Sequence, residues 1–428
     1  MNKNFGLTLN KVQKYVIFAI TLGNILEWYD FYLYIFWSPT LAKLFFNTES
    51  TSAHLLFIIA FFTIGFIFRP VGGVFFGRLG DRIGRKKTFI LSLVMMALST
   101  FFMGFIPTYA QIGIFAPILL AVFRIAQTFP SGGELPGAFC YLYEAGPTNK
   151  KFTTSFAGFG NQIGIILAVL ECYLLEKYFS VEIFSNLGWR ISFIVGGLIG
   201  FGGVFLRYRL HETNSFQELA AHHKITPVSI WNVFQGNWGR ILRGGAFGAM
   251  QTVGFHVISV LFPIYFFKLS GMNDAQGLVA TIVLLTITTI PLPLYGLLAE
   301  KCNMARFAIA SCLCMLILLY FLYHAIKLAY PEYIMLVMGL IALCVACLTA
   351  VWPYFLSHLF PTHVRYTCVG LSFNIADGVL GGLSSLLSLY FINIEKNFSL
   401  FVWIMFASCI ISIISCLKIK LIEENFNK

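Results

Sequence analysis

The chain has 428 residues, 58% of them hydrophobic and only 11% charged, with a mean hydropathy of +0.81. Soluble domains carry about 25% charged residues, so this composition excludes a water-soluble globular protein and leaves a polytopic membrane protein. The net charge of +11 does not point to nucleic acid, because the basic residues gather in short segments between apolar runs.

A run of about 20 apolar residues is needed to cross a hydrocarbon layer of about 30 Å. Such runs fall at 15–37, 55–77, 88–107, 112–142, 153–175 and 190–208. After a polar interval they resume at 241–267, 276–298, 306–326, 332–357, 367–391 and 399–418. The expected fold is therefore an all-α membrane protein with twelve transmembrane helices in two six-helix bundles. We expect residues 1–208 to form the N-terminal bundle, 209–240 a cytoplasmic central loop and 241–428 the C-terminal bundle. Glycines 158, 160, 164, 196, 197, 200, 202 and 203 are expected at close helix contacts.

With the N-terminus inside, 21 of the 29 Lys and Arg lie in the N-terminal tail, the inner loops and the C-terminal end, against five in the outer loops. The positive-inside rule then puts both termini and the central loop in the cytoplasm of a multi-pass plasma (bacterial inner) membrane protein. No small-residue cleavage site follows the first apolar run, so no removable signal peptide is expected. The ten cysteines are scattered, and Cys344-x-x-Cys347 has no companion at metal spacing, so buried apolar packing is expected and no metal or cofactor. PTNKKFTTS, from Pro147, and PTHVRYTCV, from Pro361, match at an offset of 214 residues. A duplicated six-helix unit of this kind is one of the transporter architectures.

The first span carries Glu27 and Asp30 in its middle, each costing roughly 2.5–3.5 kcal/mol on insertion scales. Asn24, Glu27, Asp30 and Tyr34 share one helix face. The fourth span repeats the pattern with Arg124, Gln127 and Glu134. Two readings stand. In one, Glu27 or Asp30 pairs with Arg124 to hold helices together. In the other, the acids line a wet cavity and one exchanges a proton as access alternates. Two acids near one arginine favour the second.

Arg124 is the candidate for a substrate carboxylate, through a bidentate guanidinium pair, or else a counter-ion to Glu134 or Glu27. Arg69 reads as a structural or snorkelling residue. Trp28, Tyr29 and Tyr32 would suit an aromatic cage or simple packing. Asn161, Gln162, Asn374 and Asp377 are plausible cavity groups, although the sequence names no partner for Asp377. His256 reads as a hydrogen-bonded core histidine rather than a proton group.

GRLGDRIGRKK, residues 77–87, joins glycines, one acid and five bases on a tight turn, and Asp81 exceeds what a membrane anchor needs. Here Gly77, Asp81, Arg82, Gly84, Arg85 and Lys86 resemble the signature loop of the major facilitator superfamily. GNILEWYDFYLY, FRPVGGVFFGRLGDRIGRK, RIAQTFPSGGELPGA, GWRISF, RYRLHET and LFPTHVRYTCVGLSFNIA are similar, in order, to blocks of its metabolite:proton symporter family. Thr128 stands where that family usually has Gly, and Ser192 where it usually has Pro. GLLAEKCNMAR, from Gly296, is a degenerate second copy of the signature loop, in which Glu300 replaces the acid. That degeneracy argues against a symmetric latch. The tail after the last span is too short for the coiled coil that some osmoregulated relatives carry.

The resemblance implies a proton-coupled symporter, not an enzyme, importing proline or betaine or a mono- or dicarboxylate at the midplane by alternating access. A proton-driven exporter and an importer of di- or tricarboxylates are the alternatives. The expected partners are a small-molecule substrate, protons and the lipid bilayer, with no nucleic acid and a monomeric functional unit. Expected substrate-binding residues are Asn24, Trp28, Arg124, Gln127 and Asn161. Glu27, Asp30, Glu134 and Asp377 would couple the proton. Gly77, Asp81, Arg82, Gly84, Arg85, Lys86 and Arg365 would gate, with Arg365 mirroring Lys151.

Overall fold

The computed structural model describes residues 9–46, 51–145, 148–222, 229–262, 274–328, 330–390 and 400–426. Pro147 of the repeat, and Lys268 and Lys396 of the charge count, lie outside them, as do the far ends of the seventh and eleventh expected spans. The described residues form helices and no strands. Twelve long segments carry the fold: α1 (Lys11–Phe45), α2 (Thr51–Ile83), α3 (Arg85–Met103), α4 (Phe115–Ala145), α5 (Lys150–Tyr178) and α6 (Phe184–Tyr208). Then come α7 (Ile230–Leu261), α8 (Gln276–Lys301), α9 (Met304–Leu328), α10 (Pro331–Leu359), α11 (Arg365–Ser388) and α12 (Leu400–Phe426).

Among the described residues, nine of these are long and apolar enough to cross a membrane on composition. The other three are α1, α2 and α4, with 35, 33 and 31 residues, which hold Glu27, Asp30, Arg69, Arg124 and Glu134. Their length spans a bilayer easily. The polarity therefore marks charge that other helices must bury.

Local sequence sets the ends. Asn10 and Gln13 form a reciprocal capping box that starts α1. Ser229 caps α7, which begins eleven residues before the apolar run suggested, because Ile230–Arg240 is itself helical. Thr213 caps a short helix, Asn214–Ala221, in the segment between α6 and α7. The turn between α2 and α3 needs Gly84, whose φ of 106° most side chains avoid.

Packing follows the small residues. A Cβ on Gly72 would stand 1.6 Å from the Phe129 carbonyl oxygen, and one on Gly132 would stand 1.8 Å from that of Arg69. α2 and α4 thus cross backbone to backbone. Gly160 and Gly164 bring α5 close to α1 as well: a Cβ on the first would stand 2.6 Å from the Thr21 carbonyl oxygen, and one on the second 2.3 Å from that of Ile25. Of the eight glycines expected at contacts, only Gly202 faces open space. α3 packs on α4 and α6, while α10 and α12 flank α9. α5 meets α8 and α10, and α2 meets α11, so each set of six helices touches the other.

Candidate functional site

A cavity opens where those sets meet. α1, α4 and α5 contribute Trp28, Leu135, Phe139, Asn161 and Gln162. α7, α10 and α11 contribute Gln251, Phe255, Thr349, Trp352, Phe373 and Asp377. Its volume is about 30 Å³, room for about two waters. Asn161 Oδ1 and Gln162 Oε1 are buried without a hydrogen-bond partner among the described residues. Of the three aromatics that would suit a cage or simple packing, only Trp28 lines this space. The Tyr29 hydroxyl bonds Glu171, and that of Tyr32 donates to Ser259 at 2.7 Å. The other rings on the wall are Phe139, Phe255, Trp352 and Phe373.

Asp377 is paired. Arg69 Nη1 donates to its Oδ2 at 2.6 Å, in a fully buried bridge across 308 residues of sequence. The Arg69 guanidinium also lies 5.5 Å from the Trp28 ring, 5.6 Å from Phe31 and 5.4 Å from Phe373. Arg69 is therefore an ion-pair partner across the two helix sets, not a snorkelling residue. Asp377 sits in a π-helical stretch, Ile375–Gly381, and a second one, Val257–Leu261, follows Phe255 on α7. Single π turns inside helices recur at functional sites.

The pairing expected for Arg124 is different in the structure. Glu134 is held by Arg207 and Ser92, not by Arg124. Arg124 donates from Nη1 to Gln127 Oε1 at 2.8 Å and lies over Tyr34 and Phe31, at 4.1 and 4.8 Å from the ring centroids. Gln127 in turn donates to Thr100 Oγ1 at 2.8 Å, and Thr100 hydrogen-bonds Asp30. This relay connects α4 through α3 to α1. It lies off the cavity wall, as does Asn24, which donates to the Ala157 carbonyl at 3.3 Å. Arg124 Nε and Nη2 have no hydrogen-bond partner among the described residues.

Glu27 stands apart. It is buried beside the wall residue Trp28, and neither carboxylate oxygen has a hydrogen-bond partner among the described residues. The other charges that act on it are Glu134, Arg69, Arg207 and Asp377. His256 is bonded from Nδ1 to the Thr252 carbonyl at 2.9 Å, as a core histidine would be.

At the end where α2 turns into α3, carboxylates serve three helix starts. Asp81 accepts from Tyr366 N at 3.2 Å, Thr367 N at 2.9 Å and Thr367 Oγ1 at 2.7 Å, at the start of α11. Glu212 accepts from Arg85 N and Lys86 N, both at 3.1 Å, at the start of α3. Glu300 accepts from Lys151 N at 2.6 Å and Phe152 N at 3.2 Å, at the start of α5. Exposed helix N–H groups and the positive dipole end stabilise a carboxylate there. Despite its reduced basic run, the second loop reproduces the work of the first, against the asymmetry its sequence suggested. Each cation also reaches the other helix set, by a different contact: Lys151 Nζ donates to the Ala299 carbonyl at 2.7 Å, and Arg365 Nη1 to Glu144 at 2.6 Å.

Glu144 is the hub that sequence reasoning missed. Arg85, Arg365 and the Thr213 hydroxyl converge on it, and Arg85 also reaches the Thr362 carbonyl at 2.6 Å. Gly77 lets α2 approach Thr367 of α11 closely. Arg82 is exposed, and Lys86 lies over the Tyr208 ring at 5.3 Å, so neither joins the hub.

A Major Facilitator Superfamily model matches residues 20–385. The chain belongs to the Major Facilitator Superfamily. Among its relatives is the proline/betaine transporter of Salmonella typhimurium, 30% identical over 94% of this chain and 83% of that one. The citrate-proton symporter of Klebsiella pneumoniae is 32% identical, over 87% and 84%. Among solved structures, the proton:xylose symporter XylE bound to 6-bromo-6-deoxy-D-glucose superposes with a TM-score of 0.80 at 17% identity, covering 95% of each chain. The inward-open conformation of the xylose transporter XylE from E. coli gives 0.68 at 18% identity. These relatives are transporters, and the twelve-helix fold is that of the superfamily, as its signature loop suggested.

Proposed function

We propose that the chain is a proton-coupled symporter that imports a small carboxylate-bearing solute, such as proline, betaine or a mono- or dicarboxylate, by alternating access. The observation that carries this is Glu27: a buried carboxylate with no hydrogen-bond partner among the described residues, adjacent in sequence to a wall residue of a cavity between the two helix sets. An ionisable group left in that condition inside a membrane is expensive and serves a pathway. The relatives, a proline/betaine transporter and a citrate-proton symporter, support the same substrate range and the proton.

In this reading residues 1–208 and 241–428 are two bundles that rock about the cavity, with 209–240 between them, and the functional unit is one chain. The distribution of Lys and Arg supports termini in the cytoplasm of a bacterial inner membrane. The clasps at Asp81, Glu300 and Glu144 then close the cytoplasmic side, leaving the solute to arrive from outside. Trp28 and Asn161 contact it in the cavity. Arg124, whose Nε and Nη2 have no hydrogen-bond partner among the described residues, and the relay through Gln127 and Asp30 serve the outer approach. Glu27 takes up the proton, while the bridges of Glu134 and Asp377 adjust to its charge.

The test is transport in proteoliposomes with an imposed pH gradient. Glu27→Gln keeps solute exchange at equal concentrations and loses accumulation against a gradient. If the variant accumulates solute as the wild type does, Glu27 is not the proton site.

A further inference from the structure

We infer that Arg69 and Asp377 are the two poles of a zwitterion site, and that the solute binds by replacing their direct ion pair. The inference rests on the proposed transport function and names its substrate class.

Three observations lead to it. Asp377 lines the central cavity, and its partner Arg69, stacked against the wall rings of Trp28 and Phe373, stands directly behind it. The two residues belong to opposite helix sets, α2 and α11, so whatever separates them loosens one contact between those sets. The cavity of about 30 Å³ is too small for an organic solute while the pair is intact. Space must come from movement, and Asp377 sits in irregular backbone, the π-helical stretch, with Gly378, Gly381 and Gly382 beside it. Arg69 also keeps Nε buried and without a hydrogen-bond partner among the described residues, a donor still to be filled.

A buried ion pair must be replaced by groups of the same charges, since either member alone in the interior is strongly destabilised. An inorganic anion or a simple carboxylate satisfies Arg69 and strands Asp377, and an inorganic cation does the reverse. A di- or tricarboxylate adds repulsion at Asp377. A zwitterion satisfies both: its carboxylate takes Arg69 in a bidentate pair, and its ammonium takes Asp377. The rings of Trp28, Phe255, Trp352 and Phe373 around Asp377 suit an alkylated ammonium, which they attract through their π faces and which needs no hydrogen bonds in return.

The probes are glycine betaine and its uncharged-head isostere 3,3-dimethylbutanoate, which differ only in having nitrogen or carbon at the quaternary centre. Competition against labelled proline or betaine is measured with the full-length protein in proteoliposomes. The wild type prefers betaine to the isostere by about ten- to a hundredfold, the worth of a charged contact. Asp377→Asn collapses that ratio toward one, and Arg69→Lys weakens zwitterions and carboxylates alike. A wild type that binds the isostere as tightly as betaine, or that accumulates citrate as readily, overturns the assignment without any variant, so poor folding of Asp377→Asn leaves it testable. So does an Asp377→Asn protein that keeps the full preference. If no organic solute accumulates under a pH gradient, the transport reading itself has failed. If carboxylates accumulate without zwitterion preference, only the two-pole site has.

Discussion

Glu300→Gln tests whether the degenerate loop truly closes its side of the molecule. The substitution preserves shape and one acceptor oxygen while removing the charge that Lys151 N and Phe152 N share at 2.6 and 3.2 Å. Hydrogen bonds to a charged group are worth about 1.5–3 kcal/mol, and a carboxylate at a helix start a further 0.3–1 kcal/mol. Because the amide oxygen still accepts, the net loss is roughly 1–2 kcal/mol, and it falls on the closed state alone. At 1.4 kcal/mol per decade, the ratio of closed to open molecules drops about five- to thirtyfold. Asp81→Asn, with three bonds at α11 and Arg85 3.4 Å away, shifts the ratio further in the same direction. Spin labels at the exposed positions Lys87 and Asn303 report the separation of the two sets at this end. Pulsed dipolar distances in a cysteine-free background then gain a longer population in both variants, the larger in Asp81→Asn. If Glu300→Gln leaves the distance distribution unchanged while Asp81→Asn moves it, the clasp is one-sided and the mirror argument is wrong.

Other outcomes follow from the packing. Gly72→Ala puts a methyl 1.6 Å from the Phe129 carbonyl oxygen, so α2 and α4 must separate, at a cost of at least about 3 kcal/mol. Thermal denaturation in detergent shows a clear loss of stability, whereas Gly202→Ala, facing open space, leaves it unchanged. Arg207→Leu strands Glu134 in the interior and costs about 3–5 kcal/mol, and the double variant with Glu134→Leu recovers most of it; equal damage in single and double variants contradicts the pairing. Gly23→Ala places its methyl 2.0 Å from Arg207 Nη2 and lowers the melting temperature in the same direction, read by the same assay.

The twelve helices were legible because a bilayer demands long apolar runs, and short polar breaks separate them. The polar stripe on α1 was legible too, since Asn24, Glu27 and Asp30 follow helical spacing and all three are buried. The partners were not. Arg69 reads as a membrane-edge arginine, and only the approach of α2 to α11 delivers it to Asp377. Arg207 counts as one more cytoplasmic base until α6 buries it against Glu134, in space that Gly23 leaves open. Glu144, near the end of α4, looks like any interfacial acid; three donors from elsewhere in the chain make it a hub. Spacing along one helix decides which residues share a face. It says nothing of how neighbouring helices are rotated, and rotation chooses the ion pairs.

The loop acids carry a lesson about reading duplicated proteins. Asp81 and Glu300 do not fall at the 214-residue offset that relates Pro147 to Pro361, and the motif around Glu300 has lost most of its consensus. Both still end at the opening turn of a helix from the opposite repeat. Each still stands four residues after the opening glycine of its motif, Gly77 or Gly296, so drift can strip a motif to little more than its acid while the clasp it fastens stays intact. In a duplicated chain, what a residue reaches on the far half can outlast the consensus around it.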